Sequence, residues 1–94
     1  MRSVIQEEKE CYVCGTRTNL HSHHIFPGKP NRQLSEKRGL KVWLCLHHHT
    51  GSNDAVHNNK ELDLHLKRKA QKMYEEMYGT REEFIQEFGR NYLD

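Results

Sequence analysis

Two short steps constrain this chain more than anything else in it: Cys11-Tyr-Val-Cys14 and Cys45-Leu-His-His48. Two ligands with two residues between them can grip one ion. A pair of such knuckles far apart in sequence closes a tetrahedral site and clips remote segments together. Gly15 permits the tight turn after the first knuckle. A chain of 94 residues, 34% apolar, buries only a modest core and gains from such a staple. Its three cysteines cannot all pair internally, so a metal site completed by histidine fits better than a disulfide framework. The expected structural zinc uses Cys11, Cys14, Cys45 and His48. His47 or His49 is the alternative fourth ligand, but the two-residue spacing favours His48.

Ligands remain after those four. The chain carries eight histidines, six of them in the clusters His21, His23, His24 and His47, His48, His49, with His57 close behind. Neutral imidazole suits zinc and similar divalent metals. Tandem His23-His24 on a strand must point to opposite faces, because strand side chains alternate. That is a poor arrangement for two ligands of one ion and a good one for a ligand beside a base. His65, isolated in a helical stretch, reads as a surface residue.

The pattern around these residues is α+β. Residues 1–10 read as a polar, frayed lead-in. Residues 20–26 fit a strand ended by Pro27-Gly28, and residues 40–44 alternate as a second short strand. Between them, residues 27–39 hold both prolines and two glycines and read as a loop. From about Asp54 the period becomes helical, and Leu62, Leu66, Ala70, Met73 and Met77 form one apolar face up to a stop at Gly79. Thr80-Arg-Glu-Glu83 has the form of a capping box opening a last helix, with Phe84, Ile85, Phe88 and Tyr92 for packing. The division expected is one domain over 1–94, with a core at 11–58 and a helical extension at 59–94.

The formal charge is only +2, but it is unevenly placed. Lys29, Arg32, Lys37, Arg38 and Lys41 face the single acid Glu36 between Gly28 and Trp43, which suits a polyanion such as nucleic acid. No apolar run reaches the length of a signal sequence or a membrane span, so a cytoplasmic setting with reduced cysteines and no membrane contact is expected.

His23-His24-Ile25, the two flanking knuckles and the following helix resemble the HNH endonucleases. Leu44-Cys45, His48-His49-Thr50-Gly51 and Ala55-Val56-His57 look like the small phage and prophage HNH nucleases associated with recombination. The resemblance covers roughly residues 11–58. It implies a zinc-stapled ββα-metal (His-Me finger) core, followed here by C-terminal helices. It further implies His24 as general base, His23 as ligand of a catalytic divalent metal, and His49 or His57 closing that second site. The family's middle asparagine normally precedes the second strand, where this chain has Gly39-Leu40-Lys41. Asn31, Asn53 and Asn58 are the weak candidates to replace it.

The chemistry implied is metal-dependent hydrolysis of DNA phosphodiester bonds. His24 would deprotonate water, a Mg2+, Mn2+, Ni2+ or Zn2+ ion would offset charge on the phosphate, and the five basic residues would grip the backbone. The competing reading is a zinc-containing nucleic-acid-binding module of the same fold without activity. A homodimer is also allowed, because the long helix at 60–78 can pack on its own core or on a second copy.

Overall fold

The computed structural model describes residues 2–51 and 55–93. The elements in order are strand β1 (Leu20–His24), helix α1 (Asn31–Arg38), strand β2 (Lys41–Cys45), helix α2 (Lys60–Met77) and helix α3 (Arg81–Phe88). A short π-helical turn (His47–Gly51) and a 3-10 turn (Val56–Asn58) lie between β2 and α2. The strands pair antiparallel, with Leu20 opposite Cys45, His21 opposite Leu44, Ser22 opposite Trp43, His23 opposite Val42 and His24 opposite Lys41. Alternation therefore puts His21, His23, Val42 and Leu44 on one face, and Leu20, Ser22, His24, Lys41, Trp43 and Cys45 on the other. The result is a small α+β fold built on a two-stranded sheet.

The expected loop at 27–39 is corrected by α1. The prolines and glycines flank the helix instead of interrupting it: Pro30 precedes its first turn, and Gly39 ends it in the left-handed conformation at φ 71°. A side chain at Gly39 would also put its Cβ 2.5 Å from the Arg2 carbonyl oxygen. α1 offers little apolar periodicity because it is anchored through a polar residue. The buried Ser35 hydroxyl donates to the Phe26 carbonyl and accepts from its N–H.

From Val4 onward the expected frayed lead-in is tied to the rest of the fold. Trp43 N–H donates to Gln6 Oε1 at 2.9 Å, Tyr12 N–H donates to the Trp43 carbonyl at 2.8 Å, and Val4 N–H donates to the Gly39 carbonyl. The segment thus occupies the outer edge of β2, covering groups that an edge strand would leave unpaired.

α2 spans Lys60–Met77, within a residue of the long helix expected at 60–78; Asn53 and Asp54, where the helical period is expected to set in, lie outside the described residues. Asn59 caps it by accepting from Glu61 and Leu62 N–H. Its buried face is Leu66, Ala70, Gln71 and Tyr74, with Leu62 packed against the core; of the expected apolar face only Met77, 51% exposed, turns to solvent. The helix is turned so that Tyr74 reaches Phe84 and Phe88, a larger aromatic contact than Met77 could make. Gln71 is fully buried but satisfied, by Glu75, Asn91 and the Tyr92 N–H. The capping box at Thr80 and Glu83 forms as predicted. Phe84 and Phe88 pack beneath Phe26, whereas Ile85 is partly exposed. No helix among the described residues is long and apolar enough to cross a membrane.

Candidate metal centres

The first knuckle turns tightly, with Gly15 N–H donating to the Cys11 carbonyl at 2.9 Å and Gly15 at φ 79°. β2 delivers Cys45, and the π-helical turn then swings His48 back toward it. Cys45 Sγ lies 3.3 Å and Cys11 Sγ 3.7 Å from His48 Nδ1, and Cys14 Sγ lies 3.8 Å from Cys45 Sγ. Tetrahedral zinc with Zn–S of about 2.3 Å and Zn–N of about 2.0 Å requires ligand separations of roughly 3.5–3.8 Å. The four residues fit that cage, and they can bind a metal such as zinc. All three cysteines are free, at distances far beyond a disulfide bond. Burial pushes the Cys11 thiol up, but backbone N–H groups of Cys45, Cys14 and Val13 favour the thiolate and bring it down to about 6. The thiolate is the form that ligates metal. The sequence's preference for His48 over its neighbours is matched by this geometry.

A second set gathers on the other face of β1. Ring nitrogens of His23, His49 and His57 come within 4.8 Å of one another. His49 Nε2 and His57 Nε2 are 3.2 Å apart, close to the roughly 3.4 Å edge of a tetrahedral Zn–N site. His23 packs edge-on against both rings. It is 5% exposed, and its Nε2 is buried without a hydrogen-bond partner. Buried polar atoms are normally satisfied, and this orphan nitrogen beside two further imidazoles belongs to a group that could hold a metal ion. Burial, and then the neighbouring His49 and His57, hold His23 far below the usual imidazole range, at about 3. Burial, then His57 and His21, also lower His49. Both rings therefore stay neutral, as metal ligation requires. Where the sequence offers His49 or His57, the fold brings both to His23.

His24 takes the opposite face, as alternation demands. Its Nε2 lies 3.1 Å from Glu36 Oε1 on α1, and Lys41 Nζ lies 2.7 Å from the other carboxylate oxygen. Lys41, then His24, lower the Glu36 carboxyl to about 2. An ionised carboxylate can only accept, so His24 Nε2 carries a proton and, in the neutral ring, the lone pair is on Nδ1. Glu36 was legible only as a stray acid in a basic run, since nothing local links it to His24.

The five basic candidates separate. Arg38 is committed to the fold: its guanidinium donates to both Glu87 oxygens and stacks over Tyr78 at 5.0 Å. Lys41 holds Glu36. Lys29, Arg32 and Lys37 are exposed. A groove of about 830 Å3 opens on the His24 face of the sheet, lined in part by Arg2, Lys9, Ser22, Lys41 and Trp43. Lys9 Nζ sits 4.6 Å above the Trp43 ring. Of the asparagines considered for the middle position, Asn31 donates to the Phe88 carbonyl, Asn58 ends the 3-10 turn, and Asn53 lies outside the described residues. His65 is exposed on α2 beside Tyr12, as expected of a surface residue.

Fold and sites define a small α+β protein with a two-stranded sheet and Cys/His clusters able to hold metal. Compared with family models, curated proteins and solved structures, the chain matches none.

Proposed function

We propose that the protein is a metal-dependent endonuclease acting on DNA, with a structural zinc at Cys11, Cys14, Cys45 and His48. The observation that carries this is the second histidine set: His23, buried with an unsatisfied Nε2 against His49 and His57, beside a separate and complete Cys3His cage. Three ligands leave a tetrahedral ion one open position, the arrangement of catalytic rather than structural sites. A divalent metal bound there would offset charge on the phosphate and on the leaving oxygen.

This chain's residues supply the remainder. His24, oriented by Glu36 through Nε2, presents Nδ1 as the base that takes a proton from water. Lys29, Arg32 and Lys37, with Arg2 and Lys9 at the groove, provide charge for phosphates, giving salt-dependent and largely sequence-independent affinity. The ββα-metal reading is supported by the antiparallel β1–β2 pair followed by the ligand-bearing turns and α2. The alternative, a DNA-binding module without activity, draws on Gly39-Leu40-Lys41 standing where an HNH asparagine is expected.

The test is plasmid nicking with Mg2+, Mn2+ or Ni2+ against an EDTA control. Wild type should cut only with metal, and His24→Ala should lose about 10²–10⁴-fold in rate while keeping DNA affinity. Binding without cleavage in every metal selects the module. Undiminished cleavage by His24→Ala removes His24 from the mechanism.

A further inference from the structure

His21 belongs to neither ligand set, yet it touches the second one. Its Nδ1 lies 3.0 Å from His49 Nδ1, with the rings nearly perpendicular at 84°. His49 therefore engages both its ring nitrogens: Nδ1 toward His21 and Nε2 toward His57 at 3.2 Å. A neutral imidazole has one N–H and one lone pair, so the two contacts require opposite roles. If Nε2 offers its lone pair to a metal, Nδ1 carries the proton and must donate it. His21 Nδ1 is the acceptor in reach, which places the His21 proton on its own Nε2.

The two histidines also sit on backbones of different rigidity. His21 and His23 are two residues apart on β1, on the same face, and both are held by the ladder to β2. His49 stands on a single π-helical turn between β2 and the 3-10 turn, with no strand partner of its own. A ligand carried on one turn gains its ring orientation from whatever its far nitrogen bonds to. The geometry points to His21 as the positioning residue of this centre: it fixes the tautomer and ring plane of His49 without touching the metal. The inference rests on reading His23, His49 and His57 as a metal site, and it names the strand residue that aims that site.

Calorimetric titration of the zinc-loaded protein with Mn2+ or Co2+ tests it, together with 15N chemical shifts of the His49 ring. Wild type should bind one further ion, with His49 Nδ1 protonated and Nε2 in the metal-bound range. His21→Ala should bind that ion about 10–100-fold more weakly and lose the single His49 tautomer, with the structural zinc retained. His21→Asn, whose Oδ1 can stand near the present Nδ1, should recover most of the affinity. Unchanged affinity and tautomer in His21→Ala overturn the inference while leaving the three-histidine site intact. A metal-bound signal on a His21 nitrogen also overturns it, since His21 is then a ligand. Absence of a second ion in wild type overturns the three-histidine site itself, and this role with it.

Discussion

Replacing His23 by leucine should make the protein more stable and abolish the metal uptake proposed for His23, His49 and His57. His23 is 5% exposed and its Nε2 has no hydrogen-bond partner. A buried polar group left unsatisfied costs about 1–3 kcal/mol, whereas an apolar side chain of similar size in the same place carries no such penalty. Imperfect packing of leucine against His49 and His57 returns up to about 1.5 kcal/mol of that gain. The net expectation is about 1 kcal/mol of added stability, or a Tm rise of about 4–8 °C for a domain of this size. The measurement is thermal unfolding by circular dichroism at pH 7.5 with one equivalent of zinc, so that only the Cys3His site is filled. Adding Mn2+ at 100 times its Kd should then stabilise wild type by about 2.7 kcal/mol and the variant not at all. The reasoning fails if His23→Leu is destabilised by more than about 1 kcal/mol, or if it still takes up a second ion.

The same residue sets a pH dependence. His23 has a folded pKa of about 3, below the unfolded value of about 6.5, so the unfolded chain binds the extra proton between the two. Its contribution is fully present above about pH 6.5 and is lost as pH falls toward 3, by up to about 1.4 kcal/mol per unit. Urea melts at pH 7.5, 6.5 and 5.5 should show a steeper decline for wild type than for His23→Leu; parallel declines exclude burial of neutral His23 as the cause. Zinc held by the Cys3His cluster would join Cys14 to Cys45 across a loop of about 30 residues, a closure worth about 4 kcal/mol, and ligation would add several more. Against a typical stability of about 5–15 kcal/mol, Cys45→Ser should abolish the cooperative thermal transition, and a retained sharp transition would refute the staple. Thr80→Ala removes the oxygen that accepts from Glu83 N–H and should cost about 1 kcal/mol, read as a Tm drop of a few degrees.

The Cys3His cluster, the paired strands and the capping box of α3 were legible from the chain because each is written in local spacing. Cys-x2-Cys and Cys-x2-His bring their ligands together through a few covalent bonds, and Thr80 lies three residues from its partner Glu83. Alternation along β1 likewise requires His23 and His24 to part company. Tertiary structure decided what depends on distant partners. Packing of α1 through Ser35, Arg38 and Tyr78 makes a helix of a segment whose composition reads as loop, and it brings Glu36 to His24. Hydrogen bonds along β2 turn a polar lead-in into an edge cover. The meeting of His49 and His57 at His23, with His21 behind His49, arises from two short turns packed against a strand more than twenty residues earlier. Spacing can nominate ligands for a site, but only the pairing of β1 with β2 and the seat of α2 determine which rings face one another.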